Sequence, residues 1–266
     1  MEYADDDQRR HLRGGFDQAA EDYLRTRPVC PPQLFDDLLR IAGLTAGDRV
    51  VEIGCGAGQA TVPLAERGLA VTAVELGAEL AAIARRRLAR FPAAEVVTCA
   101  FEDWNPPHGA LFDAVVAVNS LHWIDPQLRF SKPYALLRPG GVMAVAGCSW
   151  ALPADAGPFW TEAQADYRAV GYAGDPPPPP DEISPWRFPP EAQALFQEVA
   201  SLRYPFEMLY SAEDYLSILA TQSSTRALGK ARSADFLARV RRRLESFGWP
   251  TLTITFVGYL TIGQRI

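Results

Sequence analysis

The sequence predicts an α/β fold: a doubly wound, mostly parallel sheet of seven strands with a helical cap. Short apolar runs alternate with amphipathic stretches from about residue 48 to 147. Several of these runs are nearly continuous in Val, Ala and Ile, which is typical of strands buried on both faces of a parallel sheet. After Trp150 the pattern changes to a segment rich in Trp, Tyr and Pro. We therefore expect a βαβ core followed by a cap.

The elements of the predicted core alternate regularly along the chain. We expect strands at Arg49–Gly54, Ala70–Leu76, Glu95–Cys99, Asp113–Val118 and Val142–Gly147. Helices are expected over Gln59–Arg67 and from Ala78 to about Ala89. The second helix ends in three arginines, whose charge suits the negative end of the helix dipole.

Beyond the core, the predicted elements are less regular. We expect a helix over Pro190–Val199, a strand over Leu202–Leu209, a helix from an N-cap at Ser211 to Leu219, a helix over Ala234–Phe247 and a strand over Thr251–Ile262. The run DPPPPP at Asp175–Pro180 favours polyproline II geometry. We interpret it as a stiff surface crossing, with an SH3-domain ligand as the alternative.

These boundaries divide the chain into four parts. Residues 1–44 are N-terminal helices, 45–149 the core, 150–201 a cap insertion with the Pro-rich crossing, and 202–266 the last two strands with intervening cap helices.

Composition argues against several classes of protein. The net charge is −6, and the basic run Arg239 with Arg241–Arg243 lies in a predicted helix, so we interpret it as a solvated face and expect no nucleic-acid partner. The three histidines lack metal-ligand spacing, so no metal site is expected. Cys55, Cys99 and Cys148 lie in or beside predicted strands, and we expect reduced thiols. No apolar run approaches the roughly 20 residues that span a bilayer. We expect a cytoplasmic protein without a membrane partner.

A glycine-rich loop, VVEIGCGAGQAT at Val50–Thr61, is the sharpest local feature. Gly54, Gly56 and Gly58 lie between a strand and a helix, where a ligand can approach the backbone closely. A dinucleotide fingerprint needs a small residue at the position of Gln59. Glu52 is unfavourable beside a pyrophosphate but suits a ligand with an α-amino group. An NAD(P)-dependent oxidoreductase is therefore the less favoured alternative.

Two further acidic positions follow the next strands. Glu75, at the end of the second strand, can accept hydrogen bonds from both hydroxyls of a ribose. The segment FEDW, residues 101–104, follows the third strand. Glu102 could accept from an exocyclic amine, while Phe101 and Trp104 offer flat faces to a purine.

In this order and spacing the motifs resemble those of class I S-adenosylmethionine-dependent methyltransferases. VVEIGCGAGQAT is similar to the first motif, Glu75 stands at the ribose position, FEDW at the adenine position, and FDAVVAVNSLHWID at the fourth-strand motif. LLRPGG at Leu136–Gly141 is similar to the turn into the fifth strand. The resemblance covers roughly residues 45–147 and implies a Rossmann-like sheet, methyl transfer and S-adenosylmethionine as cofactor.

The N-terminal segment FDQAAEDYLRTRPVCPPQL, Phe16–Leu34, is similar to that of a small-molecule branch containing trans-aconitate-type methyltransferases. In that branch this helix lies over the cofactor, and an aromatic residue usually stands where this chain has Cys30. With the motifs above, the resemblance implies cofactor contacts from Tyr23, Arg27, Glu52, Gly54, Cys55, Gly56, Gly58, Glu75, Leu76, Phe101, Glu102, Asp103, Asn119 and Ser120.

His122 is the one candidate catalytic residue. It follows the fourth strand at the carboxyl edge of the sheet, where ligands bind in open α/β sheets, and an imidazole suits a general base. The alternative is that it hydrogen-bonds backbone or shapes the pocket.

The acceptor is expected to be a small molecule, bound under a cap formed by residues 150–190 and 211–247. The aromatic residues of the first segment suit an apolar or aromatic acceptor or form the core of the cap: Trp150, Phe159, Trp160, Tyr167, Tyr172 and Trp186. The sequence leaves open whether O, N, C or S is methylated, and also the oligomeric state. A protein that binds the cofactor without transferring its methyl group is the other alternative.

Overall fold

The computed structural model describes residues 20–172 and 174–266, so Phe16 lies outside the described residues, as do the side chains of Ala20 and Tyr23. A seven-stranded sheet with the order β3-β2-β1-β4-β5-β7-β6 forms its centre. The strands are β1 (Arg49–Ile53), β2 (Ala70–Glu75), β3 (Glu95–Thr98), β4 (Phe112–Val118), β5 (Leu137–Ala151), β6 (Phe196–Ser211) and β7 (Thr251–Arg265).

The first five strands are parallel, and β7 pairs antiparallel with both β5 and β6. The strand order reverses between β1 and β4, which creates a crevice at the carboxyl edge of the sheet. The doubly wound, mostly parallel sheet predicted from the sequence is thus confirmed.

Helices cover both faces of the sheet and form the cap. In chain order they are α1 (Ala20–Thr26), α2 (Pro32–Ala42), α3 (Thr61–Glu66), α4 (Ala78–Leu88), α5 (Ser131–Leu136), α6 (Pro158–Glu162), α7 (Gln164–Ala169), α8 (Pro190–Gln193), α9 (Ala212–Ala220), α10 (Ser223–Ala227) and α11 (Lys230–Phe247). No described helix combines the length and the apolar character that a membrane crossing needs.

Two predictions about the elements need correction. The helix expected over Pro190–Val199 is wrong beyond Gln193, because Phe196 already pairs with Arg265 at the edge of the sheet. The fifth strand is also much longer than expected. It leaves its partner β4 at Ala146 and continues along β7 to Ala151, which carries Cys148 and Trp150 beyond the parallel part of the sheet.

Aromatic side chains build the core of the cap. Phe159, Trp160, Tyr215 and Phe236 are buried in one cluster, and Tyr167 and Tyr172 pack against Phe236 at ring-centroid distances of 4.8 and 5.6 Å. Trp186 lies elsewhere, packed on Phe188 at 5.0 Å. Most of the aromatic residues after Trp150 therefore stabilise the cap itself.

The Pro-rich crossing lies against the sheet extension. Leu152 donates its backbone N–H to the carbonyl of Pro178 at 2.9 Å, and Arg203 of β6 donates to the carbonyl of Pro180. Three of the four arginines of the basic run pair with acidic side chains: Arg239 with Asp235, Arg241 with Glu213, and Arg243 with Asp166 and Glu162.

Candidate functional site

A cavity of about 400 Å³ opens at the carboxyl ends of β1, β2 and β4, under the N-terminal segment and the cap. Most of the residues predicted from the sequence line it: Arg27, Glu52, Gly54, Cys55, Gly56, Glu75, Leu76, Phe101, Asn119, Ser120 and His122. Gly58, Glu102 and Asp103 are not among the described residues that line it. The structure thus brings eleven of the predicted residues to one place.

Glu52 places a carboxylate at the floor of the cavity. Its side chain is 1% exposed and accepts a hydrogen bond from the Thr61 hydroxyl at 2.6 Å. Burial raises the pKa of Glu52 to about 7, the Thr61 hydrogen bond opposes this rise, and the charge of Glu75 adds to it. A buried carboxylate with one neutral partner is a good site for a cationic group, because a cation compensates the lost hydration.

Glu75 is held by the backbone of the glycine loop and of the turn after β2. Its carboxylate accepts from the N–H of Gly56 and from the N–H of Gly77, both at 2.8 Å. Each carboxylate oxygen has more than one lone pair, so both can also accept from a ligand hydroxyl. Leu76, next in the chain, lines the cavity and is 39% exposed, so it offers an apolar surface to a ligand.

Gly54 approaches the turn after β4 too closely for a side chain. A Cβ at this position would lie 2.9 Å from Cβ of Ser120, and the backbone has a φ of 65°. Ser120 in turn donates its hydroxyl to the carbonyl of Ile53. The loop after β1 and the turn after β4 are therefore joined directly beneath the cavity.

Asn119 has the one positive φ among the described non-glycine residues, at 53°. Its backbone N–H donates to Ala146, and its side-chain Oδ1 accepts from the N–H of Cys148 at 3.1 Å. Left-handed backbone costs a non-glycine residue energy, and such residues cluster at functional sites. Here it turns the chain from β4 along the wall of the cavity.

His122 lies in a short 3₁₀ turn, Leu121–Trp123, with its ring 4.8 Å from that of Trp123. Burial, together with the positive charge of Arg129, lowers the pKa of His122 to about 4. The imidazole is therefore neutral at neutral pH, which is the protonation state of a base.

The FEDW segment contributes less to the cavity than its motif position implies. Phe101 lines the cavity, but Trp104 packs behind it in the core, with ring centroids 6.4 Å apart. Glu102 accepts from the N–H of Asp125 at 3.1 Å, and Asp103 is exposed. Glu102 thus helps to fix the loop after β4.

The N-terminal segment reaches the cavity through Arg27 and Pro28. Arg27 donates to the carbonyl of Thr221 at 2.7 Å, and the buried carbonyl of Thr26 accepts from the Tyr210 hydroxyl at 2.8 Å. Arg25 pairs with Asp214 of α9. The segment is therefore held to the cap. Tyr23 lies in α1, with its side chain outside the described part of the structure.

Several residues of the cavity were missed in the sequence. They are Cys30, Gln59, Trp123, Cys148, Gln222, Ser223 and Ser224, while Trp150, expected to suit the acceptor or to belong to the core of the cap, also lines the cavity. Cys30 and Cys148 are 118 residues apart in the chain, yet their sulfur atoms are 3.4 Å apart. Cys148, expected as a reduced thiol beside a strand, thus borders the site together with Cys30. Among the described residues, no group of three acidic, His or Cys side chains could hold a metal ion.

Comparisons with known proteins find relatives for part of the chain. Residues 50–141 match the model of a methyltransferase domain. An uncharacterized methyltransferase of Mycobacterium tuberculosis (strain ATCC 25618 / H37Rv) is 34% identical over 133 residues, which is 50% of this chain and 51% of that protein. Trans-aconitate 2-methyltransferase of Paracidovorax citrulli is 37% identical over 124 residues, 46% of this chain and 44% of the enzyme.

A longer match has lower identity. Malonyl-(acyl-carrier protein) O-methyltransferase of Enterobacter lignolyticus is 28% identical over 208 residues, 76% of this chain and 74% of the enzyme. The chain spans about half the length of the first curated relatives it matches.

Solved structures share the fold. A protein assigned as a type II methyltransferase from Anaeromyxobacter dehalogenans has a TM-score of 0.61 at 23% identity, covering 90% of this chain and 97% of its own. The cyclase SpnF has a TM-score of 0.50 at 18% identity, covering 88% of this chain and 80% of its own, so the fold by itself does not fix the reaction. Residues 50–141 therefore match a methyltransferase domain, and the chain is similar over about half of its length to proteins named as methyltransferases.

Proposed function

We propose that the protein transfers the methyl group of S-adenosylmethionine to a small-molecule acceptor bound between the sheet and the cap. The observation that carries this proposal is the pair of buried carboxylates, Glu52 and Glu75, on one cavity with the glycine loop. These residues fit the cofactor, because Glu52 suits its α-ammonium group and Glu75 suits its ribose hydroxyls. At Gly54 a side chain would meet Ser120, so the glycine allows the loop to pack against the turn after β4 beneath the cavity.

The remaining predicted contacts follow from position. Leu76 and Phe101 offer apolar surfaces to the adenine, while Asn119, Ser120 and Arg27 line the part of the cavity that faces β4 and the cap. Cys55, Gly56 and Gly58 belong to the loop beneath the ligand. We retain Tyr23 as a contact from the helix above it. Glu102 and Asp103 are better explained by the loops they hold or border.

S-adenosylmethionine supplies a methyl group that is already activated by its sulfonium charge. The chain therefore has mainly to align the acceptor and to exclude water, which the N-terminal segment and the cap do from above. We retain His122, which lines the cavity as a neutral imidazole, as the candidate base for an acceptor that must lose a proton. Its lowered pKa makes it a weak base, so this role suits an acceptor whose own proton is acidic.

The acceptor side of the cavity combines two kinds of surface. Trp123 and Trp150 offer apolar faces, and Gln222, Ser223 and Ser224 offer polar groups. This lining suits a small, partly apolar acceptor with a polar substituent. The relatives named for trans-aconitate and for malonyl-(acyl-carrier protein) differ in acceptor. We therefore expect the cap, and not the shared domain, to select the acceptor.

Ligand-dependent thermal stability tests the cofactor, and a transfer assay tests the reaction. S-adenosylhomocysteine should raise the melting temperature, because at one hundred times its Kd a ligand adds about 2.7 kcal/mol to the free energy of unfolding. NADPH should not raise it. A donor with a labelled methyl group is then incubated with candidate acceptors. Stabilisation by NADPH alone would contradict the proposal. Binding without transfer to any acceptor would leave a cofactor-binding protein.

A further inference from the structure

Gln59 presents a buried hydrogen-bond donor to the cofactor cavity. It lines the cavity directly after the last glycine of the loop. Its side-chain Nε2 is fully buried and has no hydrogen-bond partner among the described residues. Buried donors in proteins are nearly always paired, and an unpaired one destabilises the fold. A ligand in the cavity that supplies a hydrogen-bond acceptor would explain why this donor is unpaired at the cavity wall.

The backbone amides of the three loop glycines are already used within the protein. Gly54 donates to the carbonyl of Val74 at 2.8 Å and Gly56 to the carboxylate of Glu75 at 2.8 Å, while Gly58 donates to the carbonyl of Cys55 at 2.9 Å. These three N–H groups cannot also serve a ligand anion without losing their present partners. A ligand carboxylate near these three positions therefore has to take its hydrogen bonds from other donors, among which the Gln59 side chain lines the cavity.

The position of Gln59 suits the carboxylate of an α-amino acid. Such a ligand carries its ammonium and its carboxylate on one carbon atom, so their partners must be neighbours. Thr61, two residues after Gln59, donates its hydroxyl to Glu52 at 2.6 Å, which ties the start of α3 to the carboxylate on β1. Gln59 is neutral, and its amide can donate a hydrogen bond to an anion. The two acidic side chains of the cavity, Glu52 and Glu75, would instead repel an anion.

From this arrangement we infer that Gln59 binds the carboxylate of the methionyl end of the cofactor through Nε2, while Glu52 accepts from its ammonium group. The inference rests on the proposed function, because it takes S-adenosylmethionine as the ligand. It gives the chain a means of distinguishing the intact cofactor from nucleosides without the carboxylate.

Calorimetric titration with two ligands tests this role. S-adenosylmethionine carries the carboxylate, and decarboxylated S-adenosylmethionine lacks only that group. Gln59→Leu should weaken the binding of S-adenosylmethionine about tenfold or more, the loss expected for one hydrogen bond to a charged group. Binding of the decarboxylated ligand should change little. Gln59→Glu keeps the size of the side chain, so it remains informative if the Leu variant folds poorly, and it should discriminate more strongly against the carboxylate.

Gln222→Leu is the matched control, since Gln222 lines the same cavity from the cap and the substitution removes the same amide. Gln222→Leu should change the binding of S-adenosylmethionine and of decarboxylated S-adenosylmethionine by the same factor. The role of Gln59 is overturned if Gln59→Leu weakens both ligands equally or weakens neither. Failure of wild-type protein to bind either ligand would instead contradict the proposed function.

Discussion

Glu52 illustrates at the residue scale how a ligand site reduces stability. Its folded-state pKa is about 7 against an ordinary value of 4.5, because burial penalises the charged form. Below pH 4.5 the carboxyl is protonated in both states and has no effect. As pH rises from 4.5 to 7, the unfolded chain loses the proton while the folded chain retains it, so the free energy of unfolding falls.

Glu52→Gln should therefore stabilise the ligand-free protein at pH 8 relative to wild type, by about 3 kcal/mol, and should stabilise it little at pH 4.5. The same variant should bind S-adenosylhomocysteine more weakly, because the partner of the ammonium group loses its charge. Urea unfolding at several pH values measures the first effect and calorimetry the second. Glu66→Gln is the control, since Glu66 is a half-exposed carboxylate paired with Arg90. Parallel pH profiles for wild type and Glu52→Gln would contradict the effect of burial.

A second prediction at this scale concerns His122. With its pKa lowered to about 4, the imidazole is neutral throughout the physiological range, so base catalysis should be independent of pH above about 5 and should fall below that. His122→Ala should lower kcat by about 100-fold or more if the residue is the base, while the Kd of S-adenosylhomocysteine changes little. Initial rates with the true acceptor measure this. Near-normal turnover of the variant would show that His122 is not the base and only shapes the pocket.

At the scale of elements, α9 holds the N-terminal segment in place. Ser211 caps this helix by accepting from the N–H of Asp214 at 3.0 Å, as its sequence predicts. Asp214 also pairs with Arg25 of α1, and the carbonyl of Thr221, just after the helix, accepts from Arg27. The N-cap of α9 is thus connected, through Asp214 and Arg25, to the N-terminal segment that lies over the cavity.

Ser211→Ala should lower the free energy of unfolding by about 1 kcal/mol and should also weaken the binding of S-adenosylhomocysteine, because the start of α9 holds α1. Ser211→Thr, which keeps a hydroxyl acceptor, should restore most of both. Chemical unfolding and calorimetry on the three proteins provide the comparison. An unchanged Kd in Ser211→Ala would show that the contacts of α9 do not control the cavity.

The elements that the sequence predicted well are those whose secondary structure is determined by neighbouring residues in the chain. The buried runs of β1, β2 and β4 and the cap at Ser211 carry their own signal in residue type and spacing. The segment Phe196–Ser201 carries a pattern that fits a helix or a strand equally, and pairing with the end of β7 decides for the strand. Pairing between residues so far apart in the chain cannot be predicted from local pattern.

The same distinction explains the cavity. Residues of the glycine loop and the strand ends were predicted because each follows a motif. Cys148 was missed as a cavity residue because β5 extends beyond β4 only through its antiparallel partner β7. Gln222–Ser224 reach the cavity because the cap folds back over the sheet edge. Glu102 matched its motif position but is held by the N–H of Asp125, a contact that the motif does not reveal.

At the scale of the whole molecule, the sheet extension joins the cap to the cofactor-binding core. Phe256 of β7 is fully buried in the cluster that forms the cap. Its ring centroid lies 5.4 Å from that of Trp150 and 5.5 Å from that of Phe206, so it contacts both neighbouring strands. Because β5 and β7 belong to the core and the cap alike, we expect the two to unfold together.

Phe236→Ala provides the test, because Phe236 of α11 is fully buried in the cap and does not line the cavity. It should lower the free energy of unfolding by about 3–5 kcal/mol while retaining a single transition, and the Kd of S-adenosylhomocysteine should change little at temperatures where the variant is folded. Phe236→Leu should behave alike with a smaller loss. Near-ultraviolet circular dichroism and cofactor binding should lose their signals at the same denaturant concentration. Cofactor binding that survives a first transition would show that the cap unfolds on its own.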